Sequence, residues 1–413
     1  MRVLIIGSGG REHALALALA RDPAVLEVHA APGNPGTWAI GGREVPAIDP
    51  TDGDAVVALA RKLGSDLVVI GPEAPLVAGV ADQVRAAGIA CFGPSQAAAR
   101  LEGSKQFAKE VMAAAGVPTA DSRYCTDIEQ VAAALDTFDP PYVVKADGLA
   151  GGKGVVVTTN REAALAHAAA AGPVVVEDYL DGPEASFFAI CDGQRAVPLM
   201  ASQDFKRIGD GDTGPNTGGM GAYCPLPWAP PDLTETVMAQ VIRPTIAEMA
   251  SRGTPFAGLL YAGLALTSKG LRVVEFNARF GDPETSAVLP LLRTPLGGLL
   301  WQAAHGCLAD AQELVWDSGY CVVVVEAAAG YPGAYTKGGR INLPPDGLIV
   351  HAGTALDVNK HLVANGGRVL GAVGQGLSLA GARDAAYELI DRIDYADGYH
   401  RSDIAMLAAQ SEE

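Results

Sequence analysis

Over the first hundred residues, short apolar runs ending in glycine turns alternate with helical stretches. No other feature constrains the fold as much. Residues 3–6 are apolar and run into Gly7-Ser8-Gly9-Gly10, followed by a helical stretch at 11–21. Residues 25–31 form a second strand, and Pro32-Gly33-Asn34-Pro35-Gly36 reads as a turn. Helices at 54–63 and 80–87 separate strands at 66–70 and 89–92, which end in Gly71-Pro72-Glu73 and Gly93-Pro94. This alternation predicts a doubly wound parallel sheet. Ligands of such sheets bind at the C-terminal strand ends, where these turns lie.

The pattern then changes. A helix at 104–115 carries Lys105, strands are expected at 142–146, 154–158 and 174–177, and a strand pair at 184–191 and 196–202. Residues 204–223 are glycine-rich without periodicity, and a loop this long inside a compact protein is usually functional. A long helix at 233–251 precedes strands at 258–267 and 271–276, joined at Ser268-Lys269-Gly270. After a helix at 295–306, the last hundred residues return to strands (321–328, 348–352, 368–373) and one helix at 378–393. A length of 413 residues suits roughly two to four domains.

The net charge of −17 argues against a nucleic-acid or anionic-membrane surface, which needs a basic stripe. It leaves room for a small phosphorylated substrate held by local cations. The six cysteines are scattered without a CxxC pair, which suits free thiols in a reducing, cytoplasmic compartment. The seven histidines show no metal-binding spacing. No apolar run approaches the ~20 residues of a membrane span. The N-terminus reads as a strand, not as a signal peptide.

Four segments carry chemistry. Gly7-Ser8-Gly9-Gly10-Arg11-Glu12 satisfies G-x-G, but Glu12 replaces the third glycine and the second strand ends in Ala30-Ala31. An NAD-dependent dehydrogenase therefore lacks its acidic ribose ligand. The turn is left as a tight strand-to-helix connection or an anion site at a helix N-terminus. His13 in its first turn faces either substrate or solvent.

The second segment runs from Lys145 through Gly148, Gly151, Gly152 and Lys153 to Gly154. Its spacing is not that of a P-loop. Even so, backbone N–H groups in such a loop can approach phosphate oxygens, and its two lysines suit a triphosphate. Third, Glu275 and Asn277 are two apart at a strand end and share one face. A carboxylate beside an amide oxygen suits Mg²⁺, which keeps substrate phosphates among its ligands. Arg279 and Asp282-Pro283-Glu284-Thr285 follow at once. Fourth, 202–223 places Lys206, Arg207, Asp212, Thr213, Gly214, Asn216, Thr217, Gly218 and Gly219 in one stretch. Many small donors there suit an anionic substrate and a developing acyl phosphate.

Together these segments resemble the glycinamide ribonucleotide synthetases, ligases of the ATP-grasp superfamily. The likeness rests on GSGGREHAL at 7–15, GPEAPLVAGV at 71–80, LEGSK at 101–105 and KADGLAGGKGV at 145–155. It continues in GDTGPNTGGMGAY at 211–223, EFNARFGDPET at 275–285 and NGGRVL at 365–370. The resemblance implies ATP-dependent joining of glycine to 5-phosphoribosylamine through glycyl phosphate. It implies Mg²⁺ or Mn²⁺, small-molecule partners with neither nucleic acid nor membrane, and a monomer. It also implies an α/β and α+β multidomain fold. An N-terminal doubly wound parallel sheet would span 1–102, a central ATP-grasp domain 103–120 and 186–312, a lid 121–185, and a C-terminal mixed β domain with one main helix 313–413.

By the same resemblance, Lys105 and Lys145 contact ATP phosphates and Gly148, Gly151, Gly152, Lys153 and Gly154 form the lid loop. Glu177, Asp178, Tyr179 and Leu180 line the adenine, and Glu184 meets the ribose. Gly9, Gly10, Glu12, Asn34 and Glu73 face phosphoribosylamine, and Glu275 and Asn277 hold the metal. Lys206, Asp212, Gly214 and Arg279 hold glycine or the intermediate, with Thr213, Asn216, Gly218 and Gly219 beside them. Two features depart from the family pattern. The 160–174 stretch is short for a lid, and the strand at 261–267 carries no acid, which leaves the metal to Glu275. A catalytically dead nucleotide sensor would have lost the lysines or Glu275, and all are present.

Overall fold

The computed structural model describes residues 1–42, 44–149, 154–309 and 313–411. The first sheet contains β1 (Arg2–Gly7), β2 (Glu27–Pro32), β3 (Leu67–Ile70) and β4 (Ala90–Phe92), in the order β2-β1-β3-β4 and all parallel. Around it run α1 (Gly10–Ala20), α2 (Pro35–Gly41), α3 (Gly53–Leu63), α4 (Glu73–Val77), α5 (Val80–Ala86) and α6 (Gln96–Gly103). β3 is buried throughout and β1 from Val3 onward, as strands covered on both faces must be. Helix α2 starts within the segment read from sequence as a turn. Asn34 caps it, its side-chain oxygen accepting from the Thr37 N–H at 3.0 Å, with Pro35 at the first helical position. Both are helix-start signals, but seven residues are too few to show periodicity.

Helix α7 (Lys105–Ala115) leads into the second sheet. That sheet comprises β5 (Ser122–Cys125), β6 (Tyr142–Ala146), β7 (Val155–Thr158) and β8 (Val174–Glu177), in the antiparallel order β5-β8-β6-β7. Helices α8 (Ile128–Leu135) and α9 (Arg161–Ala171) cover it, burying Val131, Leu135, Ala164 and Ala168 against Val144, Val174 and Val176. The 160–174 stretch, short as it looked for a lid, holds all of α9.

Next come β9 (Glu184–Asp192), β10 (Ala196–Pro198), β11 (Gln203–Asp204), β12 (Arg207–Gly209), β13 (Thr213–Asn216), β14 (Gly221–Cys224), β15 (Ala257–Thr267) and β16 (Gly270–Asn277). The central sheet runs β10-β9-β15-β16, antiparallel throughout. The segment read as an aperiodic loop holds β11, the β12–β13 hairpin and β14. β14 pairs with β17 (Tyr320–Ala328), a hundred residues away. A pairing partner that distant leaves no local pattern.

The last sheet adds β18 (Leu348–His351) and β21 (Arg368–Gly376) in the order β11-β14-β17-β21-β18, with a β19 (Thr354–Leu356) and β20 (Leu362–Ala364) pair beside it. Helix Leu379–Ile390 packs on this sheet through Leu379, Ala382, Ala386 and Leu389. One buried cluster joins Leu4, Ile6 and Ile70 of the first sheet to Phe107, Phe187, Leu260 and Phe276. The strand ends of the first and central sheets are thereby held against each other. All six cysteines are free thiols, and only Cys307 is exposed.

Candidate active site

Lys145 stands near the end of β6, where the strand is covered on both faces, and is 5% exposed. Its ammonium lies 3.0 Å from Glu177 Oε2 and donates to the Val274 carbonyl at 3.0 Å. Burial works to lower its pKa, but the Glu177 and Glu275 carboxylates outweigh that and raise it, so the ammonium stays charged. Val274 precedes Glu275, so the lysine of the second sheet and the carboxylate–amide face of β16 lie side by side. Lys109, which the sequence reading passed over, holds the other Glu177 oxygen at 3.3 Å and donates to Thr119 Oγ1 at 2.9 Å. Its position four residues after Lys105 on the same helix was the available signal.

Lys105 begins α7. Its N–H donates to Asp147 Oδ1 at 2.6 Å and its ammonium to the Gly148 carbonyl at 3.2 Å. The glycine hairpin is therefore tied at its near end to the helix N-terminus. At its far end the Ala146 N–H donates to the Gly154 carbonyl at 2.7 Å. Gly151, Gly152 and Lys153 lie outside the described residues. Glu177 ends β8, and the chain continues through Asp178, half-exposed Tyr179 and Leu180 to Glu184 at the start of β9. Lys206 donates to Glu184 Oε2 at 2.6 Å and lies 3.2 Å from Asp204. Burial lowers the Lys206 pKa, but Asp204 and Glu184 raise it well above the ordinary lysine value.

Glu275 and Asn277 lie on β16 opposite Gly263 and Tyr261. Among the described residues, no group of three or more His, Cys, Asp or Glu side chains is placed to hold a metal ion. Two hard oxygens alone make an open site, which fits a Mg²⁺-type cation that takes its remaining ligands from phosphates and water. The Asn277 oxygen also accepts from Arg279 Nη2 at 3.3 Å, which fixes the amide's orientation.

Arg279 joins the sheets. It lies 3.3 Å from Glu73 and 3.2 Å from Glu102, while Glu102 accepts the Ala278 N–H at 2.7 Å. Burial favours protonation of Glu73, but Arg279 and Arg11 overcome it and lower its pKa. Glu102 is pushed up by burial despite Arg279. Beneath, Tyr261 Oη donates to Glu284 Oε1 at 2.7 Å and bonds Ser186 Oγ at 2.7 Å. Burial raises Glu284.

At the first turn, Glu12 accepts from the Gly9 N–H at 2.6 Å and from Arg11 at 2.6 Å. The Asn34 amide donates to the Ser8 carbonyl at 2.9 Å and to the His351 carbonyl at 2.9 Å. Both side chains therefore shape the turn, in which Gly9 is partly exposed and Gly10 buried. His13 is buried and accepts the His351 N–H at 2.7 Å, so it does not face solvent.

The β12–β13 hairpin divides in two. Its base, Gly218 and Gly219, meets Asp282 and Arg368. Its tip contacts the hairpin itself and residues 401–403. Asp212 accepts from Arg401 at 2.7 Å, the Gly211 N–H donates to Asp403 at 2.8 Å, and Gly214 accepts from Arg207 at 2.7 Å. Thr213 donates to the Asp210 carbonyl at 2.9 Å, and Asn216 pairs with Arg207 across the hairpin.

Comparison with known proteins adds to this geometry. Residues 1–102, 103–285 and 321–407 match the N domain, the ATP-grasp (A) domain and the C domain of phosphoribosylglycinamide synthetase. The chain is 57% identical over 417 residues to the phosphoribosylamine–glycine ligase of Streptomyces coelicolor, covering 99% of this chain and 100% of that protein. It is 55% identical over 421 residues to that of Mycobacterium bovis, covering 100% and 99%. The crystal structure of the Thermotoga maritima ligase superposes with a TM-score of 0.86 at 36% identity, covering 98% and 100%. The biotin carboxylase domain of Hydrogenobacter thermophilus 2-oxoglutarate carboxylase shares the fold alone, at 18% identity and TM-score 0.74, covering 97% and 91%.

Proposed function

The chain belongs to the phosphoribosylglycinamide synthetase family, and from that premise we propose how its residues divide the work. It is an ATP-dependent carbon–nitrogen ligase that joins glycine to phosphoribosylamine in purine biosynthesis. The observation that carries the residue assignment is the 3.0 Å bond from Lys145 to the carbonyl preceding Glu275. A single triphosphate can touch the lysine of one sheet and the carboxylate–amide face of the other.

In the proposed mechanism, Lys105 and Lys145 bind the β- and γ-phosphates, and the 148–154 loop closes over them to exclude water. Glu177 to Leu180 line the adenine and Glu184 the ribose. Glu275 and Asn277 hold Mg²⁺ or Mn²⁺. When bound, the ion neutralises the charge that builds on the transferring phosphoryl group. Arg279 and Lys206 orient the glycine carboxylate, one of whose oxygens attacks the γ-phosphorus as ADP leaves. The ribosylamine, held at Gly9, Gly10 and Glu73, then attacks the acyl carbon. A C–N bond forms, the C–O bond to phosphate breaks, and the amine gives up a proton.

The domain division proposed is 1–102, then 103–120 with 186–312, then 121–185, then 313–413, in a cytoplasmic monomer. The sharing of β11 and β14 with the last sheet ties the second unit to the fourth. Phosphate release from ATP that requires both glycine and phosphoribosylamine is the expected result. Release without either co-substrate, or ATP binding without turnover, would overturn the assignment.

A further inference from the structure

We propose that Arg368 is a positioning residue for phosphoribosylamine, clamping the Asp282 carboxylate over the Gly9-Gly10 turn. This rests on the ligase reading above. Arg368 opens β21 in the C-terminal sheet, far from both nucleotide-binding sheets in sequence. Its Nη1 donates to the carbonyls of Gly218 at 2.5 Å, Asp282 at 2.7 Å and Gly219 at 3.4 Å. Its Nη2 lies 3.2 Å from Asp282 Oδ2. One guanidinium thus spans the base of the hairpin and the turn after Arg279, a fork that a point charge cannot reproduce.

The same residue is held from its other side, since the Gly218 N–H donates to Tyr331 Oη at 2.9 Å. A Cβ on Gly218 would lie 2.8 Å from Arg368 Cζ, and one on Gly367 would lie 2.2 Å from the Tyr331 ring. Glycine at both places lets the two side chains seat. Beyond the clamp, a Cβ on Gly9 would lie 3.5 Å from Asp282 Oδ2, and one on Gly10 3.5 Å from Oδ1. The carboxylate therefore lies over the bare turn that begins α1.

That turn is a helix N-terminus, which attracts anions. Arg368 supplies the counter-charge that holds the Asp282 carboxylate at this turn, beside the place where the substrate's phosphate is expected. Pinned by Arg368, it is kept as an acceptor for the substrate's hydroxyl or amine hydrogens. Arg368 acts through Asp282 and the Gly218 peptide, so its loss should fall on one substrate only.

The test uses the full-length enzyme with ATP, glycine and phosphoribosylamine generated from ribose 5-phosphate and ammonia. Arg368→Met should raise KM for the ribosylamine about tenfold or more, with KM for ATP and glycine within about twofold. Arg368→Lys should recover part of the loss by holding Asp282 without bridging the carbonyls. An unchanged ribosylamine KM, or an equal rise in all three constants, overturns the proposal. If Arg368→Met fails to fold, Arg368→Lys and Tyr331→Phe are judged by the same split. A wild-type enzyme without co-substrate-dependent phosphate release would instead sink the ligase reading itself.

Discussion

Replacing Lys145 with Met removes a buried cation while keeping most of the side-chain volume. Two consequences can be separated. Glu177 loses a partner at 3.0 Å but keeps Lys109 at 3.3 Å. Breaking a buried pair completely costs about 3–5 kcal/mol because it strands a charge. With one lysine remaining, about 1–3 kcal/mol is expected from the lost hydrogen bonds. The second consequence concerns the nucleotide. A charge-assisted hydrogen bond to a phosphate contributes about 1.5–3 kcal/mol, which is ~10- to ~150-fold in Kd. Calorimetric titration with a non-hydrolysable ATP analogue, alongside thermal unfolding of the same preparation, measures both. A destabilised variant with unchanged analogue affinity would refute the reasoning. Lys145 would then be only a counter-ion for Glu177, and the phosphates would bind elsewhere.

Glu275→Ala should abolish turnover while the unfolding transition stays near that of the parent, since the half-buried side chain supports little packing. Near-normal activity with unchanged Mg²⁺ dependence would remove the metal from this face. Acid should loosen the junction between α1 and β18. Burial lowers the His13 pKa to about 3, with His351 adding to the effect, and lowers His351 to about 4. The folded protein thus binds fewer protons than the unfolded chain. This stability is complete above about pH 6.5 and falls as pH drops toward the folded values, by up to ~1.4 kcal/mol per pH unit for each ring. Unfolding measured from pH 7 to 4 should slope less steeply in His13→Asn, and identical slopes would contradict the assignment.

The amino-acid sequence alone determined the longer local elements and which residues share a strand face. β1 and β3 were legible because strands covered on both sides are written as unbroken apolar runs. Glu275 and Asn277 were legible because two-residue spacing fixes a shared face of a strand, and Lys145 because a glycine hairpin has few other uses for a lysine at its base. Short helices such as α2 and α4 were not, because five to seven residues give no period. Tertiary structure alone decided which charges meet. Lys109, Glu102 and Arg368 enter the site through contacts with residues tens to hundreds of positions away. Likewise, Arg401 and Asp403 hold Asp212 and Gly211 at the hairpin tip from nearly two hundred positions away. Local sequence encodes backbone preference and which face is buried. The pairing of distant charges is set by how the sheets pack, and no short window of residues contains that information.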